Sequence, residues 1–565
     1  MEAVNINNLS FKYPGSQDYA LKNISLSVES GDFIAIVGNN GCGKSTLCKA
    51  LNGLIPKSIT GKFEGQIIID GQDIKDLTVG QVAKKAGYVY QDFENQIVRP
   101  TVLDDASYAC LNYGMPDYLA RGEEALRQVK LYDKRDENVW ELSGGQTHLL
   151  ALAGALSLSP DILILDEPIA QLDPQRADII YEILKELNQK HKKTIIVIEH
   201  STEYIAEYCN RVVLMKEGQI LWNKKTKEAL QMVDDLIASD IFPPQVTRAA
   251  KRSMERGDLK PGLLPVNLEE GYEVFKDFTY SRSEEILPPE KSDGENIISV
   301  NGVNMIYKTI HDEANVIFSD LNLDIKRGEK IALIGSNGSG KSTLLKMLAG
   351  LAKPVTGDII IDGKNIRDMK IDQLARIISL VYQNPEQMFI MDNIAQDISY
   401  SSRVRNIEGW EDKRESLLER FNLVNLRDRD GRLLSGGQMR RTSLAIGTAL
   451  DPQILLLDEP TSNLDIKTRK EVMKLLSEMK DLTETVIIAT HDMQLVCEWA
   501  ERIIVLHQGQ IEADDTRDEI FADQGILERV GIRPPQIFHL AKGLDRDALV
   551  YTIDDFLDAF EVNHG

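Results

Sequence analysis

Lys44 and Lys341 each close a glycine-rich run that ends in Ser-Thr. The first is Gly38, Asn39, Asn40, Gly41, Cys42, Gly43, Lys44, Ser45, Thr46; the second is Gly335, Ser336, Asn337, Gly338, Ser339, Gly340, Lys341, Ser342, Thr343. Both fit G-x-x-x-x-G-K-[ST], and each follows an apolar run and precedes a helical pattern, the context in which that spacing makes a phosphate-binding loop. Glycines let backbone amides converge on phosphate oxygens, and the helix N-terminus adds positive dipole. The lysines are expected to reach the β- and γ-phosphates, and Ser45 and Ser342 to ligate Mg2+. An ordinary glycine turn is the plainer reading, and two copies in the same context argue against it. Cys42 stands where a small polar residue is usual; packing as a small side chain explains it more simply than redox chemistry.

Two carboxylate pairs supply the other half of the chemistry. ILILDEP spans Ile162–Pro168 and ILLLDEP spans Ile454–Pro460. Four apolar residues predict a buried strand, and a carboxylate at the C-terminal end of such a strand lies where open α/β sheets bind ligands. Asp166 and Asp458 are expected to hold Mg2+ through water. Glu167 and Glu459 are placed to polarise an attacking water. A solvated surface pair is the alternative, disfavoured by the apolar run before each Asp.

These motifs recur because the chain repeats. Lys341 follows Lys44 by 297 residues, whereas LSGGQ at Leu142–Gln146 and ILILDEP both return 292 residues later, and PPQ at Pro243–Gln245 returns 291 later. A period this long is domain duplication. Each half alternates apolar β-type runs (Phe33–Val37, Ile162–Leu165, Thr194–Ile198) with amphipathic helical stretches (Lys44–Asn52, Pro174–Leu187). That pattern predicts an α/β fold with a largely parallel sheet. Val4–Leu9 and Leu21–Val28 alternate more strictly and predict an antiparallel edge sheet. The expected division is a first domain over 1–233 with a small appendage over 234–280, a linker over 281–296, a second domain over 297–525 and its appendage over 526–565. The linker assignment rests on paired prolines and charges without period.

Composition narrows the partners. A net charge of −23 offers nothing to counterion release, so no nucleic-acid partner is expected. The five cysteines form no CxxC pair and no Cys/His cluster, which argues against zinc and against a disulfide framework. No stretch approaches the ~18–20 apolar residues of a membrane span, and the N-terminus has no signal-peptide pattern. A cytosolic protein is expected.

LSGGQ lying between a phosphate loop and ILxLDEP resembles the signature of the ATP-binding-cassette (ABC) family, and the resemblance covers nearly the whole chain. S-x-x-Q before an apolar helix is also a capping box, and the two readings are compatible. The resemblance implies two tandem P-loop ATPase domains, each with a mainly parallel core sheet, an antiparallel β subdomain and a helical subdomain. It implies that Gln91 and Gln383 are Q-loop residues touching the metal, that Asp173 and Asp465 are D-loop residues, and that His200 and His491 are switch histidines at the γ-phosphate. Tyr13 and Tyr307 match the adenine-stacking aromatic, although NMIYKTI around Tyr307 departs from FKYPG around Tyr13. The two domains are expected to form an intramolecular head-to-tail dimer. One ATP would lie between the first domain's loop and Ser435, Gly436, Gly437 and Gln438, the other between the second domain's loop and Ser143, Gly144, Gly145 and Gln146. Neither half lacks an essential residue, yet they differ: MRRT follows the second LSGGQ where THLL follows the first, Thr461 replaces Ile169, and Thr490 replaces Glu199. Unequal turnover at the two sites is expected.

Within the family, FKYPG, QDFENQI (Gln91–Ile97), QNPEQMF (Gln383–Phe389), VIEH and the repeated PPQ resemble the energy-coupling-factor (ECF) ATPases of vitamin and transition-metal importers. That resemblance implies a transmembrane coupling subunit whose helices enter grooves beside the Q-loops, a small substrate-capturing membrane protein, and a peripheral location on the cytoplasmic face. PPQ alone could be a helix stop. A tandem cassette protein acting on ribosomes or DNA is the alternative, without the charged arm, basic face or zinc clusters usual there. A fused sugar or peptide importer ATPase is the other.

Overall fold

The computed structural model describes residues 2–170, 172–281, 294–308, 314–462, 464, 466–479 and 483–562. Residues 282–293 of the expected linker, and Asp465, lie outside the described residues. The chain divides into two compact units, Met1–Phe278 with Val562–Gly565, and Thr279–Glu561.

The first unit is built on a six-stranded sheet in the order Gln219–Lys225, Arg211–Lys216, Phe33–Val37, Thr194–Ile198, Ile162–Asp166, Ala86–Val89. The central pairings are parallel, and only the edge hairpin is antiparallel. The continuous apolar runs seen in sequence are these central strands. Phe33, Ala35 and Val37 face one buried layer with Leu163, Leu165, Ile195 and Val197. Ile34 and Ile36 face the other with Ile162, Ile164, Ile196 and Ile198. A strand buried on both faces has no solvated side to make polar, which is why its sequence does not alternate. Glu2–Lys12 and Leu21–Glu29 pair antiparallel in a separate four-stranded sheet, as their alternation predicts. Three helices, Val102–Asn112, Tyr118–Gln128 and Gly144–Leu156, make the helical part.

The second unit repeats this plan. Its core sheet runs Ile378–Val381, Ile454–Asp458, Thr485–Ala489, Lys330–Ile334, Arg502–His507, Gln510–Thr516, beside a four-stranded antiparallel sheet. Helices Ile394–Val404, Trp410–Arg420 and Gly436–Thr448 match the first unit's three.

One alternative left open by the sequence is decided. PPQ does not stop a helix: Pro244 and Pro535 occupy the N-cap positions of helices Gln245–Arg256 and Gln536–Leu544. A proline's missing N–H costs nothing before the first helical turn, where that donor has no partner. In the first unit this segment is fastened to the helix after the β-sheet, Thr202–Tyr208, by a hydrogen bond from the Thr202 hydroxyl to the Phe242 carbonyl at 2.8 Å.

Candidate functional site

Each phosphate loop is set by the strand that feeds it. Phe33–Val37 runs buried to Gly38, whose φ is +148°. A Cβ there would lie 2.2 Å from the Met215 carbonyl oxygen, and at Gly335 one would lie 2.1 Å from that of Leu506. Only glycine allows the loop to turn this close to the neighbouring strand. Helix Lys44–Leu51 follows, capped by a left-handed Gly43. Lys44 Nζ donates to the Gly38 and Asn39 carbonyls at 2.7 and 3.0 Å, and Lys341 to those of Gly335 and Ser336 at 2.7 and 3.1 Å. Both lysines therefore lie folded over their own loops and buried. Cys42 is buried too, and burial pushes its thiol up, which fits the packing role.

The carboxylate pairs end the strands Ile162–Asp166 and Ile454–Asp458. Burial pushes the Asp166 carboxyl up, with Ser45 and Tyr88 drawing it back. Tyr88 donates to Asp166 Oδ2 at 3.0 Å, while Oδ1 is buried without a hydrogen-bond partner among the described residues. An orphaned carboxylate oxygen facing a serine hydroxyl is a donor set suited to a hard divalent cation. Asp458 is likewise raised by burial and faces Ser342.

Glu167 and Glu459 take the left-handed backbone, with φ of 53° and 47°. Their surroundings differ. Glu167 accepts from Gln91 Nε2 at 2.8 Å and lies 3.2 Å from His200 Nε2. Burial would raise it, but His200, Lys44 and Gln91 together hold it below the usual range. Glu459 accepts from the Thr490 hydroxyl at 3.0 Å and lies 2.7 Å from His491 Nδ1. Burial works against a charged His491, yet the hydrogen bond and charge of Glu459 raise it. No hydrogen bond joins Gln383 to Glu459 among the described residues.

The segment around each histidine is held by different chemistry. In the first unit Glu199 is buried and accepts from the amides of His200 and Ser201 at 2.7 and 2.9 Å and from the Tyr181 hydroxyl at 2.7 Å. In the second, Asp492 takes the Thr461 hydroxyl at 2.8 Å and Arg469 at 2.6 Å.

The remaining expected residues fall as follows. Ser143, Gly144, Gly145 and Gln146 open helix Gly144–Leu156, with the Ser143 amide donating to Gln146 Oε1 at 2.9 Å. Ser435, Gly436, Gly437 and Gln438 open the matching helix with the reciprocal pair, at 3.1 and 3.4 Å. Asp173 caps helix Pro174–Gln189 through the Arg176 amide at 3.0 Å. Tyr13 reaches the phosphate-loop helix, its hydroxyl 3.2 Å from Thr46 Oγ1. Tyr307 is 43% exposed, and no such bond ties it to Thr343 among the described residues. Within each unit, the loop lysine, the carboxylate pair, the glutamine and the histidine converge at the C-terminal ends of the core strands. Sequence reasoning missed Tyr88, whose one signal is a tyrosine in an otherwise apolar strand, and Tyr181, which nothing local distinguishes from a core aromatic.

Known proteins resemble this chain over most of its length. The model of the ABC transporter family matches twice, over residues 21–170 and 318–462. An inferred ABC transporter ATP-binding protein of Caldanaerobacter subterraneus subsp. tengcongensis is 33% identical, over 96% of this chain and 96% of its own. One from Vibrio parahaemolyticus is 32% identical, over 95% of this chain and 93% of its own. A solved structure described as cbiO1 from Clostridium perfringens, part of the ABC transporter complex cbiONQ, is 34% identical over 43% of this chain and 98% of its own, with a TM-score of 0.37.

Proposed function

Since this chain belongs to the ABC transporter family, with two tandem ATPase domains that bind and hydrolyse ATP, we propose that it is the energising subunit of an ECF-type importer for a vitamin or transition metal. Lys44 and Lys341 leave their loop carbonyls to meet the β- and γ-phosphates. Glu167 and Glu459 orient the attacking water, with His200 and His491 at the γ-phosphate. Mg2+, when bound, would be held by Ser45, Gln91 and Asp166 in one site and by Ser342, Gln383 and Asp458 in the other, where it neutralises phosphate charge. Tyr13 and Tyr307 stack on adenine. Asp173 and Asp465 are the D-loop residues. In each composite site the opposite domain's Ser143–Gln146 or Ser435–Gln438 completes the phosphate contacts, so the γ-phosphate bridges both domains and its loss lets them part.

The observation that carries the importer reading is a groove of about 220 Å³ beside the first Q-loop. Tyr90, Gln96, Tyr108, Ala109, Ala151, Gly154 and Ala155 are among the residues that line it. A lining of small residues and tyrosines suits an inserted helix from a transmembrane coupling subunit. Among the described residues no helix of this chain is long and apolar enough to cross a membrane, so a membrane-spanning partner would supply the passage, and a small membrane protein the capture of cargo.

The test is a pull-down with the tagged chain from detergent-solubilised membranes, with ATP hydrolysis assayed on the eluate. Co-elution of a polytopic protein with a small membrane protein is the expected result, and the small protein identifies the cargo. Co-elution of ribosomes or DNA instead would overturn the importer reading and leave the ATPase intact.

A further inference from the structure

The two Q-loops are fastened by different side chains. In the second unit the Arg440 guanidinium, 2% exposed, donates from its two terminal nitrogens to the carbonyls of Tyr382 at 2.9 Å and Gln383 at 2.7 Å. Arg440 belongs to the signature helix Gly436–Thr448, two residues beyond Gln438. It thus joins that helix to the backbone of Gln383 itself. A buried guanidinium is costly without such partners, so the contact is directional and resists sliding. Burial pushes the guanidinium down from its ordinary range, and Asp458 and Glu459 in the same neighbourhood partly offset this by favouring its charge.

The first unit has His148 at this place, equally buried. Its ring stacks on Phe93 with centroids 4.4 Å apart, and neither nitrogen has a hydrogen-bond partner among the described residues. The hydrogen bonds to the first Q-loop come instead from within it. Gln96 Oε1 accepts from the Tyr90 amide at 2.7 Å, and Gln96 Nε2 donates to the Tyr88 carbonyl at 3.2 Å. The second unit carries Met388 at the position of Gln96, so neither fastening is present in both units.

We propose that Arg440 is a positioning residue of the second ATP site: it ties Gln383 to the signature helix so that the two move as one body, whereas Gln96 closes the first Q-loop on itself, and among the described residues no hydrogen bond joins that loop to its signature helix, which Phe93 meets by stacking on His148. The proposal rests on the role given above to Gln383. A displacement of the second Q-loop is then carried directly to Ser435–Gln438, and a displacement of the first is not carried to Ser143–Gln146.

The test is hydrogen-exchange mass spectrometry on the full chain, with steady-state ATP hydrolysis measured on the same proteins. Arg440→Gln is expected to speed exchange about tenfold in residues 382–389 and at 435–438 while leaving 90–97 unchanged. Its kcat should fall about fivefold with KM for ATP within about twofold, and Arg440→Lys should recover part of both effects. Gln96→Leu should speed exchange in 88–97 only. Unchanged exchange in 382–389, or a rise spread evenly over the whole unit, overturns the proposal; if Arg440→Gln does not fold, Arg440→Lys is read by the same criteria. Gln383→Ala separates the underlying reading: wild-type hydrolysis in that variant refutes the role of Gln383, whatever the exchange data show for Arg440.

Discussion

The Thr490 hydroxyl donates to Oε2 of Glu459 across 3.0 Å. Its counterpart Glu199 turns away from Glu167 and accepts from the amides of His200 and Ser201. A hydroxyl can hold a catalytic carboxylate in place, and an ionised carboxylate has no proton with which to do so. Glu459 is therefore held by Thr490 and His491 before ATP arrives, while both partners of Glu167, Gln91 and His200, are exposed side chains. The expected consequence is unequal turnover. Glu459→Gln should remove more than about two thirds of the ATPase rate and Glu167→Gln less than about half. Equal residual rates in the two variants would refute the asymmetry.

Glu199 depends on Tyr181 as one of its three donors. Tyr181→Phe leaves one buried carboxyl oxygen short of a partner and should destabilise the first unit by about 1–3 kcal/mol. Glu199→Gln keeps an acceptor for the two amides and can face the phenol oxygen with its NH2, so its cost should be smaller. Urea unfolding followed by a probe in the first unit ranks the two, and the reverse order counts against this account.

His148 makes the first unit sensitive to acid. Burial pushes its imidazole down to about 4 from 6.5. Between those values the unfolded chain takes up a proton that the folded chain refuses, so stability rises with pH. The contribution is complete above pH 6.5 and is lost as pH falls toward 4. From pH 7 to pH 5 the loss is about 2 kcal/mol. His148→Phe should flatten the pH dependence of denaturant midpoints over that range; a variant as acid-sensitive as the wild type contradicts the assignment.

Lys44 and Lys341 bond their own loops through the carbonyls of Gly38 and Gly335. Each truncation to alanine should silence one nucleotide site and spare the other. Equilibrium binding of ATP is expected to fall from about two nucleotides per chain to about one in either single variant, and to near zero in the double. A single variant that loses both would show that the sites bind as one unit.

The parts of this fold that were legible in sequence are those whose cause is local. A phosphate loop needs glycines at fixed spacing, and a strand buried on both faces needs an unbroken apolar run; Gly38 and Phe33–Val37 state both in nine residues or fewer. Arg440 could be seen to differ from His148, but its partner Gln383 is 57 residues away in the chain. Tyr88 and Asp166 meet across 78. Nothing in the neighbourhood of either residue encodes such a meeting; it follows from the order of strands in the sheet. PPQ stayed open for a related reason, since a proline bars a helix on its N-terminal side and starts one equally well on its C-terminal side.

Glu167 and Glu459 both occupy left-handed backbone, which costs a side-chain-bearing residue about 1 kcal/mol and glycine almost nothing. A library of variants sorted for heat resistance alone would therefore be drawn toward glycine or asparagine at these two positions. Its winners would be robust proteins that no longer turn over ATP, so any programme to harden this chain must select on hydrolysis and on melting together.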